Sequence, residues 1–336
     1  MSALSHDQGL VAVTGANGFV GSHVVSALRT AGFPVRALVR KTAAAARLRA
    51  QGCEVVLADI RDRRSLAEAF AGCRAVVHLV AVIRERGGVT FDAINRGGTA
   101  DVVAAAAGSG ITRLVHFSAL GAGPSAPRYL RSKWDGEEAV RGGPVPYVVF
   151  RPSFIIGAGG GVAAQLADLV RLGPWYPIKQ LTGWEGPLAR AAAVTPVIPV
   201  MGSGRYRSMP VHVADLMTAV TAAVVREDVL GRAYEIGGPQ VVTFDDLLEA
   251  VGMSLRVRRW RWHLPLPLAR AMVAAMRILP NPPITRDELD ALLLDNVCDN
   301  TEVMRTFGLS LTTLPDALRT ALTPQTADRG DSDRTG

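Results

Sequence analysis

The stretch Leu10 to His23, LVAVTGANGFVGSH, limits the fold more than any other part of this chain. Its apolar start, Leu10 to Val13, predicts a buried strand. Gly15, Gly18 and Gly21 follow at three-residue spacing, and apolar residues continue at helical spacing through Leu28. Strand, glycine turn and helix in that order is the setting that a dinucleotide fingerprint needs. Gly15 lets the chain turn sharply, Gly18 lets the backbone approach a pyrophosphate, and Gly21 lets the helix pack close to the sheet. Asn17 lies in the turn. The N–H groups of Phe19 and Val20 open a helix whose positive end faces the phosphates.

From Leu10 to about Arg151 short apolar strands alternate with helices. Strands are expected at Pro34 to Val39, Glu54 to Leu57, Ala75 to Val80, Arg113 to Phe117 and Val145 to Phe150. Helices are expected at Arg61 to Phe70, Phe91 to Ala107 and Arg128 to Arg141, with Thr42 capping an Ala-rich helix. This pattern predicts an α/β fold: a doubly wound parallel sheet with both faces covered, followed by a smaller mixed α/β lobe. The division expected is 1–151 for the nucleotide-binding core and 152–323 for the substrate lobe, with 205–237 returning to the core. The segment Gly157 to Pro199 is glycine- and proline-rich and carries Trp175, Tyr176 and Trp184, which predicts an irregular lid. A capped helix is expected at Thr243 to Val251 and a proline-started apolar one at Leu264 to Leu279. The polar tail 324–336 reads as disordered.

With 49% hydrophobic and 20% charged residues, the 336-residue chain is globular. Its net charge of +7 suits anionic partners such as nucleotides or an acidic membrane surface. No zinc-finger spacing or base-reading basic helix is present, so nucleic acid is not an expected partner. Cys53, Cys73 and Cys298 are isolated and not spaced for a metal; they read as small core residues in a reducing cytoplasm. The first strand begins too early for a secretory signal to precede it, and no apolar run approaches the ~20 residues of a membrane span.

The end of the second strand selects the dinucleotide. An acid there would bind the ribose 2′-hydroxyl of the unphosphorylated cofactor. Here the chain reads Val39–Arg40–Lys41, so a 2′-phosphate is favoured and NADP(H) is expected over NAD(H). Asp59, followed by Ile60, is placed to meet the adenine amine after the third strand. Leu79, Val80 and Ala81 should run along the nicotinamide-side ribose.

Ser118 ends the fifth strand, and Tyr129 and Lys133 follow at i and i+4 on one helix face. A free phenol has a pKa near ~10. A neighbouring ammonium and a cationic cofactor ring would lower it, so that Tyr129 acts as general acid/base while Ser118 holds the substrate oxygen.

These residues, with TGANGFVG, Asp59, NRGGT (Asn95 to Thr99) and FRPSFIIG (Phe150 to Gly157), resemble the short-chain dehydrogenase/reductase superfamily in its extended or atypical branch. The segments SALGA, YLRSKWDGEE, MPVHVADL, YEIGGPQ and DNV resemble more narrowly the bacterial relatives of the Rossmann-type accessory subunit of respiratory complex I. The resemblance implies NADPH held by the first half, with Asn95 in that site. It places Ser118, Tyr129 and Lys133 at the family's active-site positions and Pro152 to Phe154 against the nicotinamide amide. The Ser-to-Tyr gap is shorter than in the sugar-nucleotide epimerases of that branch.

His78, His116 and His212 read as core histidines, and Arg205 and Arg207 as a solvated turn or a phosphate grip. The run Leu255 to Leu279 holds six arginines and two tryptophans. It suits peripheral contact with an anionic membrane, but a strand followed by a core helix is the preferred reading. The leading expectation is hydride transfer between NADP(H) and an unidentified carbonyl or hydroxyl compound. A non-catalytic NADPH-holding module of a respiratory or membrane assembly, and more weakly a nucleotide-sugar epimerase or dehydratase, are the alternatives. A cytoplasmic location follows, with the inner membrane face and a respiratory-complex or homo-oligomer partner left open.

Overall fold

The computed structural model describes residues 9–176, 196–279 and 282–323, without the Trp175 side chain. Six strands form in the first half: β1 (Leu10–Thr14), β2 (Val35–Val39), β3 (Glu54–Leu57), β4 (Cys73–His78), β5 (Arg113–Phe117) and β6 (Tyr147–Pro152). Between them run α1 (Phe19–Thr30), α2 (Ala45–Ala50), α3 (Arg63–Phe70), α4 (Thr99–Gly108) and α5 (Arg128–Arg141). Later elements are β7 (Ile155–Gly157), α6 (Gly161–Leu172), β8 (Val197–Met201), β9 (Arg207–Ser208), β10 (Val211–His212), α7 (Val213–Ala223) and β11 (Arg232–Ile236). They are followed by β12 (Val242–Thr243), α8 (Phe244–Leu255), β13 (Trp260–Leu264), α9 (Leu266–Met276), α10 (Arg286–Leu292), α11 (Thr301–Phe307) and α12 (Leu314–Leu322).

The main sheet has the order β11-β6-β5-β4-β1-β2-β3, and every pairing in it is parallel. Parallel strands need helical crossovers, which cover both faces. Alternate residues therefore enter two different cores. Val11, Val13, Val77, Val115 and Phe150 pack on the face covered by α1 and α7. Ala12, Leu38, Val76, Leu114 and Val149 pack on the opposite face against residues of α3 and α4. The strand order reverses between β1 and β4, which opens a crevice at their carboxyl ends. The chain returns to this sheet late, with α7 beside α1 and β11 beside β6.

Around a third core, Ile156, Leu166, Ile198, Leu247 and Leu318 bring together β7, α6, β8, α8 and α12. The small sheets here are pairs: β10 with β7, β12 with β9, and β13 with β8.

Several expectations change. Thr42 caps nothing through its side chain: it is the first residue of a short 3-10 turn, with Lys41 in the cap position. The expected helix Phe91 to Ala107 begins as a π-helical segment, Asp92–Gly98, before α4. The widening is local, and the segment carries Asn95. The expected irregular lid contains the last residue of β7, all of α6 and the start of β8, because apolar residues of α6 at helical spacing find the third core. Trp184, the rest of the lid and the tail from Pro324 lie outside the described residues. The expected core helix Leu264 to Leu279 spans only Leu266–Met276 and buries only Ala269 and Val273. Thr243 does cap α8, in a reciprocal capping box with Asp246. No helix among the described residues is long and apolar enough to cross a membrane.

Candidate active site

The cradle is built by β1, its glycine turn and α1. Gly15 has φ +68°, a left-handed conformation that costs glycine nothing. A Cβ at Gly21 would stand 2.1 Å from the Gly15 carbonyl oxygen, so α1 can start this close to the strand only with glycine there. A Cβ at Gly18 would meet nothing but the Gly15 carbonyl oxygen, at 3.2 Å, and Asn17 and Gly18 are exposed. The turn thus presents open backbone on its outer side. Gly18 caps α1 without a side-chain bond, which leaves the first-turn N–H groups of Phe19 and Val20 to an external acceptor. This backbone fits a diphosphate. Val80 touches Gly15, so the half-buried Leu79, Val80 and Ala81 line the crevice beside the turn.

The side chain of Phe19 does something the sequence did not announce. Its ring lies against Gly157, Gly160 and Gly161, where any Cβ would stand within 3.4 Å of it. His23 hydrogen-bonds the Ala158 carbonyl at 2.9 Å from the same helix. The glycine-rich loop is therefore a close approach to α1.

Arg40 and Lys41 are exposed at the end of β2 and form no ion pair among the described residues. Asp59 differs from expectation. Arg61 grips both its oxygens, Nε to Oδ1 at 3.0 Å and a terminal nitrogen to Oδ2 at 2.6 Å. That guanidinium holds the carboxyl down at about 2, so the adenine amine would have to share an acid already paired. The Ile60 side chain is buried in the core against Gly98, leaving only its backbone for a ligand.

Asn95 is likewise spent internally. Its amide bridges the Val82 N–H (2.8 Å) and carbonyl (3.0 Å) and donates to Ser132 at 2.9 Å. It braces the chain after β4 against α5 instead of reaching outward. A hydrogen-bond chain missed in the sequence runs behind it. Thr99 donates to the Asn95 carbonyl, so its oxygen can only accept from His78 Nε2–H at 3.1 Å. The acceptor His78 Nδ1 then receives the Thr14 hydroxyl at 2.8 Å, and Thr14 accepts the Leu79 N–H. Burial holds His78 down at about 3, with the Lys133 charge adding to the shift, so this tautomer persists at neutral pH. His116 stacks on His78 with ring centroids 5.3 Å apart, and burial keeps it neutral too.

Lys133 reaches the end of β5, where Ser118 stands. Lys133 Nζ donates to the Phe117 carbonyl at 2.6 Å, which pins α5 to that strand end. Ser118 is the next residue, and its buried hydroxyl has no partner. Tyr129, one turn before Lys133, is half-buried with its ring 5.9 Å from Phe91. The expected lowering of the phenol is not a property of the chain alone. Desolvation pushes Tyr129 up to about 12, and the Lys133 ammonium is turned to a carbonyl and pushed down to about 8 by its own burial.

Pro152 and Ser153 are buried and Phe154 is half-buried. Their backbone is partly used: Pro152 accepts from Leu120 N–H, Ser153 donates to Ile236 and Phe154 accepts from Val211. Asn296 was legible only as part of DNV. It accepts the Ser153 hydroxyl at 2.5 Å and donates to the Leu120 carbonyl, tying the late chain to the strand end that carries Ser118. Beside it opens a cleft of about 580 Å³ lined by Arg205, Tyr206, Leu266 and Asp295. Arg207 is not a free phosphate grip, because Asp295 pairs with it at 2.6 Å. His212 is buried with neither ring nitrogen bonded.

Comparison with known proteins points to an NAD(P)H-binding family. A family model described as NAD(P)H-binding matches residues 15–168. The chain is 31% identical over 314 residues to NADH dehydrogenase [ubiquinone] 1 alpha subcomplex subunit 9, mitochondrial, of Arabidopsis thaliana, covering 87% of this chain and 72% of that one. It is 32% identical to a ceramide reductase of Caulobacter vibrioides, covering 67% of this chain and 63% of the reductase. In fold it is similar to an NADPH-dependent quinone oxidoreductase of Escherichia coli solved with NADPH, at TM-score 0.68 and 19% identity, covering 92% and 98% of the two chains.

Proposed function

Because the chain belongs to the NAD(P)H-binding short-chain dehydrogenase/reductase superfamily, in its extended or atypical branch, we propose that it is an NADP(H)-dependent reductase of a small carbonyl compound. The observation that carries this is the convergence at the end of β5: Lys133 bonded to the Phe117 carbonyl, the unpartnered Ser118 hydroxyl beside it, and Tyr129 one helical turn away. NADPH, when bound, supplies the hydride. The cradle of Gly15, Gly18, Phe19 and Val20 would hold its diphosphate, with Arg40 and Lys41 at the 2′-phosphate. Leu79 to Ala81 and Pro152 to Phe154 would flank the nicotinamide half.

Ser118 donates its hydrogen to the substrate carbonyl oxygen, which fixes the carbonyl and takes up developing negative charge. Tyr129 enters the site protonated, since its pKa lies near 12, and gives that proton to the same oxygen. Lys133 keeps α5, and with it Tyr129, in register through its bond to the Phe117 carbonyl.

A second reading, a non-catalytic NADPH-holding module of a larger assembly, is favoured by the 31% identity to the complex I subunit along most of the chain. One experiment separates the two. NADPH consumption by the purified protein is followed against a panel of ketones, aldehydes and quinones, with Tyr129→Phe in parallel. The reductase reading expects turnover that Tyr129→Phe lowers by about 10²–10⁴-fold with NADPH affinity retained. Turnover equal in wild type and variant, or NADPH binding without any turnover, overturns it and leaves the holding module.

A further inference from the structure

Four of the five residues of β13, Trp260 to His263, are exposed, and only Leu264 is buried. Just before the strand Arg259 donates to the carbonyls of Val170 and Arg171 at 2.8 and 2.7 Å. Arg261 reaches Glu249 at 3.3 Å, and His263 bonds Asp245 at 2.8 Å, both carboxylates belonging to α8. Val257 joins the third core. Within the strand the two-residue period puts Trp260 and Trp262 on one face, and Arg256 and Arg258, in the connection from α8, are exposed as well. Trp260 is 77% and Trp262 59% exposed. Their neighbours across the parallel pairing, Val197 and Pro199, widen the apolar strip.

The strip has a cationic border. Arg256 and Arg258 form no ion pair among the described residues, and residues 255–279 contain no acid at all. Past α9 the same run ends in the exposed Arg277 and in Ile278, 89% exposed, while α9 itself exposes Leu268. Two adjacent tryptophans in water are rare unless something covers them. Tryptophan rings settle at the headgroup level of a bilayer, and unpaired arginines are drawn to anionic headgroups.

We propose that the Trp260 and Trp262 face of β13 and the segment after α9 form a peripheral docking surface for an anionic lipid bilayer. Trp260 and Trp262 enter the interfacial layer, and Arg256, Arg258 and Arg277 meet the headgroups. The site at the end of β5 lies on other elements, so the proposal stands apart from the reductase reading.

The test is co-sedimentation of the full chain with vesicles of phosphatidylcholine alone or with one third phosphatidylglycerol. The expected result is binding to the anionic vesicles only, weakened by added salt. Arg256→Gln/Arg258→Gln should lower the partition coefficient by about 30-fold, the factor two charges at the surface supply. Trp260→Ser/Trp262→Ser should reduce binding at every salt concentration. NADPH affinity measured in both variants should equal wild type, which shows that they fold. Absence of wild-type binding at low salt, equal binding by the variants, or equal binding to both vesicle types overturns the proposal. So does a wild-type dimer in solution that Trp260→Ser/Trp262→Ser converts to monomer without changing vesicle binding, since the strip would then cover a second copy.

Discussion

Lys133 shows how a single residue's environment sets its chemistry. Its ammonium sits in a dry position with one carbonyl partner, and burial brings its pKa from 10.5 down to about 8. Between those two values the unfolded chain holds a proton that the folded chain has released. Stability from this group therefore rises as pH increases from about 8 to 10.5 and is lowest below 8. Urea unfolding at pH 7 and pH 10 checks this. Lys133→Met should remove about 3 kcal/mol of that rise, because a pKa unit is worth about 1.4 kcal/mol. A rise of equal size in the variant would mean that other groups carry it. The Y-x-x-x-K spacing was plain in the sequence. That the ammonium turns to a backbone carbonyl while the phenol is left to desolvation was not, because both effects depend on residues sixteen positions away and on packing.

At the scale of elements, α5 positions the site through two anchors. Lys133 ties it to β5, and the fully buried Glu137 ties it to β6 by accepting from two nitrogens of Arg151, at 2.9 and 2.6 Å. The Arg151 guanidinium also lies 5.4 Å over the Trp134 ring. Glu137→Ala leaves Arg151 only the looser pair with Glu235 at 3.6 Å, so it should destabilise the chain in urea unfolding, by less than the about 3–5 kcal/mol of a fully stranded charge. The third side of α5 rests on the π-helical segment. A Cβ at Gly136 would stand 2.3 Å from the Asn95 carbonyl oxygen. Gly136→Ala should therefore destabilise by about 1–3 kcal/mol as an overpacked contact, and should lower kcat more than it changes NADPH affinity. Unchanged kcat would show that α5 can shift without disturbing Tyr129. The bounds of β3, β5 and α5 match their sequence expectation residue for residue, since apolar period and flanking glycines mark them. The π-helical widening before α4 was invisible, because it answers to α5 packing across it.

For the whole molecule, nucleotide binding and folding are coupled. A ligand bound only by the folded chain at 100 times its Kd adds about 2.7 kcal/mol of stability. NADPH should protect against thermal unfolding more than NADH at equal concentration. Arg40→Ala should take about 1.5–3 kcal/mol from the NADPH effect, the worth of a charge-assisted bond, and leave the NADH effect unchanged. Equal protection by the two nucleotides would overturn the preference for NADP(H).

The order of hydrophobic runs and glycines in Leu10 to Arg151 was enough to specify a parallel sheet with a phosphate cradle at its centre. Strand period, helix period and glycine φ are local properties of the chain. Which polar atoms remain unspent was decided only by tertiary structure. Asn95 went to Val82 and Ser132, and Lys133 to Phe117, while Ser118 kept its hydroxyl free. The pairing around β13 is of the same kind. Its alternation of arginine and tryptophan is written in the sequence, but the partners of Arg259, Arg261 and His263 come from α6 and α8. Only packing brings those groups within hydrogen-bond reach.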